Sequence, residues 1–409
     1  MPNASQSLNP FRVVITHRNF RNFWVGQTLS LIGTWMQSMA QGWLALDLSN
    51  NAFIVGLVAA CGSLPILVFS LHAGVLVDRS DKLRLVKIAQ SLLLVEATIL
   101  WWLTFTGRIT VAWLLVLALV GGAISSVEIP ARQSMMIDLV GHDDLRDAIA
   151  LNSSGFNLAR IIGPAIAAVI IARLGIAWCF GVNALSYLTV LLGLSRISLP
   201  AWQPPKAVRA SIDEIRDGLA FVGRERPLRA LLELITVFSV LGIPYIALMP
   251  VMARDQFGLG ASGYGLMLTV LGIGGLSGAL VLAAVGPRSG RGALLTGASF
   301  GYASLLVILA LARTPSLGYP VLLCTGFLMI VTNAVANGLL QTLVPDELRG
   351  RLMSLYSLIV VGLPQVLGAV VAGAVARIIG VQWAIGGAAT MMLLFGVWAL
   401  RRYPEVRRL

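Results

Sequence analysis

Charge is scarce in this 409-residue chain. Charged residues make up 12% of it, against roughly 25% in an ordinary soluble domain. Acids are the rarer sign, 18 Asp and Glu against 30 Lys and Arg. With 57% hydrophobic residues, this argues against a water-soluble globular fold. Histidine and cysteine number three each. His17, His72 and His142 are too scattered to build a metal site. Cys61, Cys179 and Cys324 show neither pairing nor metal-ligand spacing, and read as small buried apolar filler. A Walker loop, a nucleophile elbow and a clustered catalytic triad are all missing. ATP use within the chain and enzymatic chemistry are therefore not expected, nor is a bound cofactor.

What the chain does have is long apolar runs. Twelve stretches fit the roughly 20 residues that a spanning helix needs: 22–46, 53–77, 85–106, 111–130, 154–172, 176–196, 228–252, 263–285, 292–312, 318–340, 352–376 and 381–401. In hydrocarbon every backbone group must bond internally, so these are helices rather than open strands. The first apolar run is too long for a signal-peptide core and reads as an uncleaved first helix.

The net charge of +12 is explained by position rather than by a nucleic-acid partner. With the N-terminus inside, only Arg108, Arg173, Arg254, Arg313 and Arg377 fall outside, and the other Lys and Arg residues fall inside. Trp43, Trp101, Trp102, Trp113, Trp178 and Trp383 cluster at the outer helix ends, as interfacial anchors do. Both termini are expected in the cytoplasm, with the lipid bilayer as the main partner and the chain acting as a monomer.

The chain divides at its longest polar interruption. Residues 1–199 form a first six-helix half, 200–227 a linker, and 228–409 a second half. In the linker, Ser211 and Glu214 make a capping box, and Ile212, Ile215, Leu219 and Val222 follow at helical spacing, which suggests a helix lying on the inner leaflet. The halves repeat. Asp143-Asp144-Leu145-Arg146 recurs as Asp346-Glu347-Leu348-Arg349. At nearly the same offset, Leu174-Gly175-Ile176-Ala177-Trp178 recurs as Ile379-Gly380-Val381-Gln382-Trp383. A worn third copy sets Arg79-Ser80-Asp81-Lys82 against Arg288-Ser289-Gly290-Arg291, with Pro287 where Asp78 stands.

Gly74, Leu76, Asp78, Arg79, Lys82 and Arg84, in the loop after the second helix, resemble the loop signature of the major facilitator superfamily, with Asp81 where that signature usually has Gly. Further stretches narrow the resemblance: residues 26–46, Glu128-Ile-Pro-Ala-Arg132-Gln133, the run with Asn152, Asn157, Arg160, Gly163 and Pro164, and residues 341–354. Together they resemble the branch of enterobactin and drug exporters, across nearly the whole chain. The resemblance implies an all-α membrane fold of twelve helices in two six-helix pseudo-repeats. It also implies a substrate site between the halves, lined by helices 1, 4, 7 and 10, and alternating access.

It further implies that Asp78 and Arg79 latch the inner side shut when the outer side opens. Read without it, the cluster with Lys82 is a stop-transfer charge run that sets topology. Glu128-x-Pro130-x-Arg132 closes the expected fourth helix, where Pro130 would end or kink it. Arg132 is a partner for Asp78 or for Glu128, and Arg160, at the expected start of helix 5, is another. These charges build either a gate or a plain salt-bridge network.

Ionisable groups inside spans invite a functional reading. Glu96, Glu233 and Asp47 are the candidates for proton coupling, since a carboxyl in apolar surroundings can load and release protons near neutral pH. Each has a structural alternative: a locally bonded carboxyl for Glu96, a salt bridge to Arg229 for Glu233, and a water-facing helix cap for Asp47. Helix 1 carries a polar stripe, Gln27, Ser30, Thr34, Gln37 and Gln41, all on one face. Helix 10 carries Asn333, Asn337 and Gln341. By resemblance both stripes face the substrate cavity; interhelical hydrogen bonding is the alternative. Gly272, Gly274, Gly275 and Gly278 permit close contact along helix 8, while Gly163-Pro164 and Gly362-Leu363-Pro364 are matching breaks in helices 5 and 11.

The expected function is secondary active export of a small organic molecule, a siderophore or drug-like compound, driven by the proton gradient at a bacterial inner membrane. An importer or lipid carrier of the same fold, and a non-transporting scaffold or sensor, are the competing readings.

Overall fold

The computed structural model describes residues 11–199, 225–286 and 290–408, and all regular structure among them is helical. The expected linker helix and the Pro287 position lie outside the described residues. After a short helix, Arg12–Thr16, come α1 (Arg18–Ser49), α2 (Ala52–Asp78), α3 (Lys82–Phe105), α4 (Val111–Val140), α5 (Leu145–Leu174) and α6 (Ala177–Ser195). The second half holds α7 (Arg226–Gly242), α8 (Ala261–Val285), α9 (Arg291–Leu311), α10 (Pro315–Leu343), α11 and α12 (Val381–Arg402). Helix α7 runs on through a 3-10 turn, Ile243–Ile246, at Pro244. Helix α11 is composite: Asp346–Ser357, two π-helical turns at Leu358–Gly362 and Pro364–Gly368, then Ala369–Ile379.

Eleven of the described helices are long and apolar enough to cross a membrane. The twelfth is α1, whose Gln, Ser and Thr stripe lowers its hydropathy. Local chemistry sets the ends. Asn51, Asp81 and Thr110 cap α2, α3 and α4 by accepting from the backbone N–H groups of Phe53, Arg84 and Trp113. Gly175 and Gly380 both stop their helices at φ 90°, a left-handed turn that glycine adopts without strain, so the repeated sequence motif ends α5 and α11 alike.

Two expectations are corrected. Helix α4 does not stop near Pro130 but continues to Val140. Helix α5 starts at Leu145 rather than near 154, so Arg160 sits in its middle and not at its start. Both corrections have one cause: packed membrane helices tolerate prolines and polar residues because neighbouring groups and short-range side-chain bonds satisfy the backbone. The two glycine-proline breaks also differ. Helix α5 passes through Pro164 as regular α-helix, whereas α11 unwinds to π turns around Pro364.

The halves use the same helix pairings. In the first, α2 packs on α4, α1 on α6, α3 on α6 and α3 on α4; in the second, α8 packs on α10, α7 on α12, α9 on α12 and α9 on α10. They meet through two equivalent contacts, α2 with α11 and α5 with α8. Glycines allow the approach. A Cβ at Gly272 or Gly275 would press on Ile161 or Arg160 of α5, while one at Gly274 or Gly278 would strike the Leu323 or Phe327 carbonyl of α10.

The buried core is unevenly shared along the bundle axis. At the end opposite the chain termini, one cluster spans both halves, joining Met39, Val55 and Phe180 to Tyr245, Leu248, Tyr264 and Met267. Towards the termini it divides. Phe20, Phe23, Val86, Met135 and Leu194 form one core, and Leu231, Leu295, Leu339 and Leu352 another.

Candidate functional site

Between α1, α3 and α6 lies a buried polar chain. Gln37 Nε2 donates to Glu96 Oε2 at 3.1 Å, and Asn183 Nδ2 donates to Gln37 Oε1 at 2.8 Å. Ser186 Oγ in turn donates to Asn183 Oδ1 at 3.0 Å, and Thr34 lies 3.4 Å from the Tyr187 hydroxyl. Glu96 is 3% exposed, and Gly121 of α4 leaves open backbone beside its carboxyl group. Gln37 thus turns into the first half, where the network occupies both ends of its amide.

A second network rivets α3 to α4. Arg132 Nε donates to Glu128 Oε1 at 2.8 Å, and Gln90 Nε2 donates to the same oxygen at 3.0 Å. All three side chains are buried. Nearer the termini, Lys82 Nζ reaches Asp138 Oδ2 at 3.2 Å and the Ser134 carbonyl. Arg132 is therefore paired with Glu128 and not with Asp78. Asp78 and Arg79 are exposed, and neither side chain makes an ion pair among the described residues.

The halves are joined more sparsely. Ser63 Oγ donates to Gln365 Oε1 at 2.8 Å, Ser262 Oγ to the Ala168 carbonyl at 3.0 Å, and Thr269 Oγ1 to the Ile161 carbonyl at 3.5 Å. Trp43 stacks on Tyr264 at 6.2 Å. No ion pair among the described residues crosses between halves. In the second half a narrow cleft of about 20 Å³ lies between α7, α9 and α10, lined by Phe238, Ser239, Tyr302, Met329, Thr332 and Asn333 among others.

The remaining candidates are dispersed. Glu233 is partly exposed and pairs with Arg229 at 3.3 Å. Asp47 is exposed at the far end, and Gln41 is half-buried. Gln27 is buried with its Oε1 unpartnered. Asn337 accepts from Gln341 one turn on. Cys324 is exposed on α10 rather than buried as filler; against lipid a thiol is as acceptable as a methyl group. Among the described residues no three His, Cys, Asp or Glu side chains are placed to hold a metal.

Gln90, Asn183 and Tyr245 were missed from sequence. A usable signal existed for the first two, since an isolated amide in an apolar helix needs a partner at its own depth. Tyr245 gave none beyond its place in a Pro-containing turn.

Two six-helix halves joined through α2–α11 and α5–α8 define a membrane transporter of the major facilitator superfamily. A bacterial homologue of the human lysosomal transporter Spinster, solved inward-facing and unoccupied, has this fold: TM-score 0.72 at 12% identity, over 98% of this chain and 99% of that one. Residues 5–407 match the transmembrane secretion effector family model, and the chain belongs to that family. It is similar to the multidrug efflux pump Tap of Mycolicibacterium fortuitum, 31% identical over 92% of this chain and 93% of Tap. The staphyloferrin A transporter of Staphylococcus aureus is 30% identical over 64% of this chain and 66% of its own length. The enterobactin exporter of Shigella boydii is 24% identical over 96% of this chain and 94% of the exporter.

Proposed function

We propose that this protein exports a small organic molecule from the bacterial cytoplasm in exchange for protons, by alternating access, with siderophores and amphipathic drug-like compounds as its cargo class. The divided core carries the reading. A core shared at one end and split at the other is what a two-sided carrier needs to open on one side at a time. The excess of Lys and Arg at the termini end supports a cytoplasmic position for that end, with the split facing the cargo's source. Asp78 and Arg79, exposed and without an ion pair among the described residues, fit a latch that is undone while its own side stands open. The efflux named for the relatives supports the outward direction.

Glu96 is the proton carrier in this reading. As a carboxylate it only accepts, so Gln37 must present its NH₂ group. Once protonated, Glu96 donates; Gln37 then turns its amide and releases Asn183. Proton loading thereby alters the seat of α1 between α3 and α6.

Inside-out vesicles offered a panel of siderophores and amphipathic drugs test both parts. Collapse of the pH gradient should abolish accumulation of the transported compound, and undiminished accumulation would overturn proton exchange. Glu96→Gln should keep binding but lose the pH dependence of transport; an unchanged pH profile removes Glu96 from the coupling step.

A further inference from the structure

The four helices that join the halves carry one charged residue between their terminal segments, Arg160 on α5. Its guanidinium reaches α8, where a Cβ on Gly275 would sit 3.2 Å from a terminal nitrogen. Gly275 thus makes the room in which it lies. The Nε is buried with no partner, and no side chain among the described residues pairs with the charge. Among the helices packed on α5, α6 and α8 contain no acid, α1 has only Asp47 near its far end, and the α4 acids are already held, Glu128 by Arg132 and Gln90 and Asp138 by Lys82. Charge inside a membrane protein is paired, neutralised or kept for a ligand. Here no partner is present.

Tyr245 is a second buried polar group without a partner among the described residues. It is 3% exposed, its hydroxyl has no partner, and it lies within electrostatic reach of Arg160. It stands on the 3-10 turn Ile243–Ile246, just after Gly242, whose carbonyl accepts from the Tyr302 hydroxyl at 2.9 Å. Tyr302 is one wall of the cleft between α7, α9 and α10, where the Thr332 hydroxyl is also unpartnered. A fixed cation, a free phenol and a mostly apolar cleft therefore follow one another across the join between the halves.

We propose that Arg160 and Tyr245 form an anion subsite of the transport cavity that takes a carboxylate of the cargo. The guanidinium fork matches a carboxylate through two parallel N–H donors, and the phenol supplies a third. A doubly charged phosphate would call for a second cation, and the helices facing Arg160 from α6, α8 and α10 bring none. This assignment rests on the exporter reading and narrows it to amphipathic acids.

The test is equilibrium binding, which needs no gradient. The full chain in nanodiscs is dialysed at neutral pH against 2-naphthoate and against 2-naphthamide, its neutral analogue, with empty nanodiscs as the blank. Wild type should hold naphthoate at least tenfold more tightly than naphthamide. Arg160→Gln should erase that preference and leave naphthamide binding within twofold, which also reports an intact fold; Arg160→Lys should keep part of it. Tyr245→Phe should reduce it several-fold and serves if Arg160→Gln does not fold. Equal binding of acid and amide by wild type, or full preference in Arg160→Gln, overturns the subsite. Absent preference with gradient-driven transport intact sinks the subsite alone; preference intact without gradient dependence sinks proton exchange and leaves the subsite standing.

Discussion

The two halves share their helix pairings but not their interiors. Every buried amide, carboxylate and guanidinium side chain among the described residues, Gln27, Gln37, Gln90, Glu96, Glu128, Arg132 and Asn183, belongs to the first half. The buried polar residues of the second half are hydroxyls, Ser239, Ser299, Thr325 and Thr332. A hydroxyl can turn to its own helix, as Thr325 does towards the Val321 carbonyl, and leaves the packing free. A buried ion or amide has more bonds to satisfy, as Glu128 takes Gln90 of α3 as well as Arg132 of its own helix, and it thereby fixes the distance between the helices that satisfy it. One half is thereby held rigid by its polar network. The other keeps a narrow cleft.

Three substitutions sharpen or break this contrast. Arg132→Ala strands Glu128 without its counter-charge and should cost about 3–5 kcal/mol, read as a lower unfolding midpoint in nanodiscs. Glu128→Gln combined with Arg132→Met should recover most of that loss. A double variant no better than the single one would mean that the stranded Glu128 charge is not the source of the loss. Thr332→Val removes an unpartnered hydroxyl from the cleft at nearly constant shape; stability should change by about 1 kcal/mol or less and in the favourable direction. A clear loss would show the second half to be as constrained as the first. Smallest of all is Glu233→Gln, which breaks a partly exposed pair. The unfolding midpoint and the pH profile of transport should both stay put. A flattened profile in this variant would move coupling to the second half and reverse the contrast.

The sequence made much of this fold legible, because hydrophobic run length and charge bias depend only on the membrane. The matching of Leu174-Gly175 with Ile379-Gly380 was readable for the same reason, since a glycine helix stop is local chemistry. The interior was harder to read. The α1 stripe has one period whether it faces a cavity or a neighbouring helix, so periodicity alone left Gln37 open between the two. Pro130 marked an end by soluble-protein rules that packed membrane helices relax, and the misplaced boundary before α5 hid Arg160 at what was taken for a helix start. The Arg229 alternative for Glu233 was visible as an i, i+4 spacing, and that is the contact present.

Helix α8 has bare backbone on two sides, with consequences for how the halves move. Towards α10, Gly274 and Gly278 seat it against main-chain carbonyls of its own half, like a shaft set in its housing. Towards α5, Gly272 and Gly275 present no interlocking teeth. A joint without gearing rolls with few rotamers to unlock, so resistance to rocking is concentrated at its two ends, where aromatic stacking closes one and loop charges lie at the other.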